Sequence, residues 1–321
     1  MPDRIPLIVV TGFLGSGKTT LLQRLLRTPD SADIGFIVNE YGEIGLDHRL
    51  LVHSSESVEL VGNGCICCAR REDIGQAIHQ LVRRARSGDG TPIRRIILET
   101  TGLADPAPIV ATVGRDPWMK AHVRLDAVIC VFDAVNGIEN IGRHVEAQRQ
   151  VAVADTIVVT KQDMRDAATM ATIAGVVRPI SPDAEILDAQ SPDFDPRLLA
   201  RGSTTGRPPH LFFAEAASSH ETAWSSFIIP APHSLDWPVF TLWLSALLHS
   251  HGGRILRVKG KIRTTSSKAP VVIHGVQHVM HPPQHLPEEP GGDDAGFLVF
   301  ITDGIEKTRI ERSLLRYQGM A

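Results

Sequence analysis

The sequence predicts a doubly wound α/β domain with a mostly parallel sheet, followed by a second, smaller α+β domain. Three observations carry this. Short, continuously apolar runs alternate with amphipathic stretches through the first two hundred residues, as strands buried on both faces require. A glycine-rich GxxxxGKT segment at residues 12–19 joins the first such run to the first amphipathic stretch. Beyond residue 200 the pattern breaks into a Gly/Pro/Ser-rich region and then resumes with different spacing.

The strands expected in the first domain are Leu7–Thr11, Gly35–Val38, Ile96–Glu99, Ala127–Phe132, Thr156–Thr160 and Glu185–Leu187. The helices expected are Lys18–Leu26, Arg71–Ala85, Ile109–Val113, Gly142–Val153, Met164–Val176 and Pro196–Ala200. This gives a first domain over 1–202, a linker over 203–237 and a C-terminal domain over 238–321. In the last, helices are expected at Phe240–His249 and Ile305–Leu315, with strands at Ile255–Val258, Ala269–Ile273 and Gly296–Ile301.

Composition narrows the function classes. The 321 residues carry a formal charge of −3 with no strongly basic stretch, which argues against nucleic acid as a partner. No window approaches the roughly 18 apolar residues that span a bilayer. The chain is therefore expected in the cytoplasm, away from membranes. There a disulfide is disfavoured, so the cluster Cys65, Cys67 and Cys68 points to metal or redox chemistry. Cys130 lies in an apolar run and reads as a core residue.

The phosphate loop follows the first strand and opens the first helix, the order such a loop needs. Gly12, Gly15 and Gly17 free the backbone to turn its N–H groups onto phosphate. Ser16 and Thr20 belong to the same phosphate-binding set. Lys18 reaches the β- and γ-phosphates, and the Thr19 hydroxyl is placed to ligate Mg²⁺. The run Ile96 to Gly102 ends a buried strand in an acid and then a glycine. Glu99 is suited to orienting Mg²⁺-bound or attacking water, and the Gly102 N–H to sensing the γ-phosphate. Lys18, Glu99 and Gly102 are thus the expected catalytic set.

Thr160-Lys161-Gln162-Asp163 follows a late core strand. The Asp163 carboxylate can accept from guanine N1–H and the 2-amino group, a pair of donors that adenine lacks. The Lys161 stem can lie along the base. Thr160 stands where Asn is commoner, which is expected to loosen the loop. GTP is therefore the expected nucleotide.

In Gly62-Asn63-Gly64-Cys65-Ile66-Cys67-Cys68, alternation points Cys65 and Cys67 one way and Cys68 the other unless the chain turns. Zinc takes four ligands, so this segment needs help. Glu40 and Glu43, in the stretch 39–47 that follows the second strand, are the first candidates to supply it and occupy the place of a γ-phosphate-responsive switch. A redox switch or packed thiols are the other readings of the cysteines. His274, His278, His281 and His285 are spaced four, three and four apart. They fall across a strand and a Pro-Pro break, which favours surface or structural roles over an auxiliary metal site.

These segments together resemble the CobW-type GTPases, a group that includes nitrile hydratase activators and zinc-handling proteins and is related to HypB and UreG. The resemblance runs through GFLGSGKTT (12–20), NEYGEIGLD (39–47), GNGCICC (62–68), ETTGLADP (99–106), FDA (132–134) and TKQD (160–163). It continues in ILRVKG (255–260) and VIHGVQHVMHPP (272–283). The resemblance implies a slow GTPase that binds a transition metal, often zinc or cobalt, and delivers it to a client protein. It maps the family's CxCC motif onto Cys65, Cys67 and Cys68, assigns the C-terminal domain to partner recognition or communication, and by analogy allows a nucleotide-dependent homodimer. The histidine-rich run that many relatives carry between the domains is missing here. Two other function classes stay open on the sequence: a small-molecule kinase or ATPase, and a GTP-binding regulatory protein with a structural or redox-sensing cysteine site.

Overall fold

The structure is a computed structural model that describes residues 4–38, 58–60, 71–87, 93–164, 167–200, 224–231, 234–280, 283–286 and 296–319. The chain forms two compact units, Met1–Arg178 with Asp183–Arg207, and Pro179–Pro182 with Pro208–Ala321.

In the first unit the strands are β1 (Ile5–Thr11), β2 (Ile34–Val38), β3 (Val58–Leu60), β4 (Arg95–Glu99), β5 (Val123–Asp133), β6 (Thr156–Thr160) and β7 (Glu185–Asp188). They pair in the order β3-β2-β4-β1-β5-β6-β7, every ladder parallel. The helices are α1 (Lys18–Leu26), α2 (Arg71–Ser87), α3 (Ala107–Arg115), α4 (Pro117–His122), α5 (Gly137–Arg143), α6 (Val145–Val153) and α7 (Met170–Val177). Parallel strands need crossovers, and crossover helices bury both faces of the sheet. On one face Leu21, Leu22 and Leu25 of α1 join Ile8, Val10, Ile97 and Ile129 in one cluster. The alternate strand residues Leu7, Val9, Ile96 and Leu98 are equally buried, together with Ile78, Leu81 and Val82 of α2. Each such side chain contributes about 1.5–3 kcal/mol on burial. Gly35 marks a close approach, since a Cβ there would meet the Leu81 side chain at 3.0 Å.

Several local expectations change. The stretch 142–153 is not one helix: His144 is extended (φ −126°, ψ 119°) and separates α5 from α6. The helix expected from Met164 starts at Met170, capped by the Thr169 side chain, which accepts from the Thr172 N–H. Pro196–Ala200 is a 3₁₀ turn rather than an α-helix. Two short elements, β3 and α4, were not marked by periodicity; α4 is set by the Asp116 side chain accepting from the Met119 N–H, with Pro117 following.

In the second unit β8 (Trp224–Pro230), β9 (Ile255–Thr264), β10 (Ser267–Val276), β11 (Val279–Met280), β12 (Gln284–His285) and β13 (Phe297–Asp303) form an antiparallel sheet. Its order is β11-β10-β9-β13-β8, with β12 paired to β10. Helices α8 (Trp237–His251) and α9 (Lys307–Tyr317) bring Phe240, Trp243, Leu244, Leu248, Ile310 and Leu314 into a core with Val258, Ile273, Leu298 and Phe300. The expected linker over 203–237 therefore holds a strand. Residues 224–230 pair with β13 in full register, and Pro230 is tolerated because it ends an edge strand. Among the described residues no helix is long and apolar enough to cross a membrane.

Candidate functional site

The C-terminal ends of β1, β4, β5 and β6 carry the residues expected to hold the nucleotide, as the open ends of a parallel sheet do in doubly wound domains. The phosphate loop leaves β1 at Gly12 with φ +142°, and Gly15 and Gly17 have φ +71° and +90°. A Cβ on Gly12 would fall 2.3 Å from the Val131 carbonyl oxygen, so both conformation and space demand glycine.

Gly17 caps α1 in the left-handed conformation, no side chain caps that helix, and its first turn holds no acid. The helix thus offers free backbone N–H groups and the positive end of its dipole to an anion. Ser16 is buried, and its Oγ has no hydrogen-bond partner among the described residues. A buried orphan hydroxyl inside a ring of left-handed glycines fits a phosphate group. Lys18 is buried and folds back on the loop, its Nζ donating to the Gly12 carbonyl at 2.8 Å and to that of Phe13 at 3.3 Å.

Thr19 and Glu99 meet, the Thr19 hydroxyl donating to Glu99 Oε1 at 2.9 Å. Glu99 is buried at the end of β4. One hydroxyl and one carboxylate converging beside the phosphate loop are hard oxygen donors of the kind Mg²⁺ accepts, so these residues fit that ion. Gly102 abuts the loop: a Cβ there would lie 2.7 Å from the Leu14 backbone nitrogen and Cα. The expected catalytic set of Lys18, Glu99 and Gly102 is therefore gathered around the phosphate loop, while Thr20 is exposed at its far end.

The segment expected to recognise the base is tied to the same place. Thr160 donates its hydroxyl to the Ser16 carbonyl at 2.7 Å and also lies 3.2 Å from that of Phe132. The expectation that threonine would loosen this loop is corrected: its hydroxyl fastens the loop to the phosphate loop. Lys161 adopts φ +61°, a left-handed conformation costly for a residue with a Cβ. Three contacts hold it. Its Nζ pairs with Asp133 Oδ2 at 2.7 Å, and the Ala134 N–H donates to the Thr160 carbonyl at 3.0 Å. The Gln190 amide, oriented to satisfy both neighbours, accepts from the Lys161 N–H at 3.0 Å and donates to Asp188 at 3.3 Å. Asp163 is exposed, open to a ligand.

Asp133 was read in the sequence only as part of the FDA run. It is buried and accepts from the Val135 and Asn136 N–H groups (2.8 and 3.2 Å) and from the Asn136 amide (3.1 Å). Burial pushes its carboxyl up, but the hydrogen bonds from Lys161, Asn136 and Val135 outweigh it and hold the group below the usual carboxylate range. Gln150 on α6 was missed altogether; it donates to the carbonyls of Gly102 and Ala104. The partners that tie them to the site, Lys161 for Asp133 and the Gly102 and Ala104 carbonyls for Gln150, are 28, 48 and 46 positions away, so local spacing does not mark that role.

Cys130 is a core residue of β5, and burial pushes its thiol up to about 12 despite the nearby Lys18 charge. Cys65, Cys67, Cys68, Glu40 and Glu43 lie outside the described residues, as does His281. His274 sits on β10, His278 in the turn beyond it with Nδ1 2.8 Å from the Leu248 carbonyl, and His285 on β12. Among the described residues no group of three or more His, Cys, Asp or Glu side chains is placed to hold a metal.

Comparison with known proteins gives the same picture over the whole length. Residues 6–188 match the CobW/HypB/UreG nucleotide-binding domain, and residues 224–318 match the cobalamin synthesis protein cobW C-terminal domain. The chain is 28% identical to the zinc chaperone YjiA of Escherichia coli (strain K12) over 317 residues, 94% of each chain. It is 30% identical to the zinc chaperone CobW of Pseudomonas aeruginosa over 311 residues, 85% of this chain and 80% of that one. Its fold is similar to the crystal structure of Zn(II)-bound YjiA GTPase from E. coli, with a TM-score of 0.70 at 26% identity over 98% of this chain and 99% of the other. With the phosphate loop, the strand-end glutamate and the base loop in place, the chain belongs to the CobW/HypB/UreG family of P-loop GTPases.

Proposed function

We propose that this protein is a GTP-dependent metallochaperone that carries a transition metal, zinc first and cobalt next, to a client metalloprotein. The observation that supports it most is the Cys65-x-Cys67-Cys68 motif in the same domain as a built phosphate loop, in a chain whose relatives are named zinc chaperones.

In this reading Gly12, Gly15, Ser16, Gly17, Lys18, Thr19 and Thr20 receive the phosphates, and Thr160, Lys161 and Asp163 select guanine. Thr19 and Glu99 would hold Mg²⁺, which when bound neutralises phosphate charge. Lys18 exchanges its two backbone carbonyls for phosphate oxygens. Glu99 orients water, and the Gly102 N–H responds to the γ-phosphate. The cargo metal sits on the thiolates of Cys65, Cys67 and Cys68 with Glu40 or Glu43 beside them. Because 39–47 follows β2 at the nucleotide end of the sheet, its response to the γ-phosphate would change metal affinity. Thiolates suit zinc and do not by affinity alone exclude cobalt, so supply and geometry share the choice.

Leu14, Leu103 and Val145 are exposed apolar side chains on or near the nucleotide loops. They support a homodimer that forms when GTP is bound. Light scattering with a non-hydrolysable GTP analogue and with GDP tests this: a dimer is expected only with the analogue.

The deciding experiment is competitive titration of Zn²⁺ and Co²⁺ with Mg²⁺-GTP analogue, with Mg²⁺-GDP and without nucleotide. Affinities that differ about tenfold between the GTP and GDP forms correspond to about 1.4 kcal/mol of coupling, and are expected. Equal affinity in all three states sinks the chaperone reading in favour of a structural or redox-sensing metal site. Changing all three cysteines to serine should abolish tight metal binding and leave slow GTP hydrolysis.

A further inference from the structure

Residues 100–105 connect the strand-end Glu99 to α3, and they are held from two sides. On one side the Thr100 N–H donates to the Val10 carbonyl at 2.9 Å, and the Thr100 and Thr11 hydroxyls bond at 2.9 Å. Gly102 then lies directly against the Leu14 backbone. On the other side stands α6. Gln150 is 1% exposed, and its Nε2 donates to both the Gly102 carbonyl (3.1 Å) and the Ala104 carbonyl (3.0 Å). The preceding Arg149 pairs with Asp105 Oδ2 at 3.0 Å, while Asp105 Oδ1 accepts the Ala107 N–H at 3.0 Å at the start of α3.

The two-pronged amide has a directional consequence. A trans peptide carries its C=O and the next N–H on opposite sides. Fixing the Gly102 and Ala104 carbonyls on α6 therefore turns the following N–H groups away from α6. A buried amide that grips two carbonyls also sets their separation, which a loop restrained only by its ends would not keep.

We infer that Gln150 is a positioning residue for GTP hydrolysis: its side-chain amide holds residues 102–104 from behind, so that the Gly102 segment stays seated against the phosphate loop. The inference rests on the reading of 99–105 as the γ-phosphate-responsive segment. Gln150 touches neither nucleotide nor water in this scheme. It acts through the backbone it holds, with Arg149 and Asp105 fastening the next turn. A glutamine that only satisfied two buried carbonyls would affect folding and nothing else, and the two roles separate experimentally.

Gln150→Met keeps length and burial and removes both donors. Its single-turnover GTP hydrolysis is expected to fall about tenfold, the scale of two hydrogen bonds lost from an organised loop. GDP affinity, read with a fluorescent GDP analogue, should stay within about twofold, because the GDP phosphates are held by the phosphate loop itself. An unchanged rate overturns the inference. So does a parallel loss of GDP affinity and rate, which would mark a general structural role. Should the variant melt below the assay temperature, Gln150→Asn carries the same test, since its amide is one methylene too short to span both carbonyls. Gly102→Ala separates this inference from the reading beneath it. A wild-type rate in Gly102→Ala sinks the role of the segment itself. A slow Gly102→Ala with a wild-type Gln150→Met sinks the positioning role alone.

Discussion

The phosphate loop and the proposed base loop, Thr160–Asp163, both carry left-handed backbone, and they achieve it by opposite means. In the phosphate loop the residues with positive φ are Gly12, Gly15 and Gly17, for which that conformation costs little. In the base loop the residue is Lys161, whose Cβ makes the same conformation costly. There the strain is offset by contacts: the Asp133 ion pair, the Gln190 amide and the Ala134 N–H on Thr160. One loop is shaped by what its residues lack, the other by what surrounds it. Substitutions should therefore act abruptly in the first loop and in graded steps in the second.

The largest effect is expected from Gly12→Ala. Its Cβ would meet the Val131 carbonyl at 2.3 Å, at φ +142°. Backbone strain alone is about 1–3 kcal/mol, and the clash adds to it. Fluorescent GTP-analogue binding should be lost, with a fall in melting temperature. Binding within a few-fold of wild type would show that the loop reshapes, and the contrast between the loops would disappear.

Asp133→Asn comes next. It keeps the shape and removes the charge that pairs with Lys161, an interaction of about 1.5–3 kcal/mol for a charged hydrogen bond. GTP affinity should fall about tenfold on that scale while the fold persists. The pH dependence has a definite sign. The folded carboxyl titrates below its ordinary value of 3.8, so its contribution to stability is full above that value. The contribution is lost as pH falls below it. Urea titrations of wild type and Asp133→Asn should thus differ by a constant amount from neutral pH down to about 5 and converge below about 4. A difference that grows on acidification would break the assignment.

This contrast also sets what could be read from the sequence. The glycines of the phosphate loop announce themselves because conformational freedom is a property of the residue and its neighbours. Glu99 is legible for a similar reason, as an acid closing a buried apolar run. Asp133, Gln190 and Gln150 are not, because each acts on a partner brought close only by the fold. The second unit shows the same division. Its helices and three of its strands follow from local periodicity. The edge strand β8 was hidden among serines and prolines that elsewhere mark a linker, and only pairing with β13 gives it away.

Thr160→Val sharpens the comparison from the hinge between the two loops. It deletes the hydroxyl that reaches the Ser16 carbonyl at 2.7 Å and keeps the methyl that faces Gly17. A loss of about 0.5–1.5 kcal/mol is expected, a few-fold in GTP affinity. An unchanged affinity by calorimetry would mean that the two loops are seated independently.

The smallest effect is expected from Gln190→Ala. Its amide supports the strained Lys161 backbone directly, but Gln190 is exposed and its bonds are neutral, so water replaces much of what is lost. About 0.5 kcal/mol should go, or roughly 1–2 °C in melting temperature for a unit of this size, with GTP affinity nearly intact. The order of the two base-loop variants is the informative quantity. If Gln190→Ala weakened GTP binding more than Asp133→Asn, the left-handed backbone at Lys161 would be the organising contact of the loop. The ion pair would then follow from that backbone conformation rather than hold it.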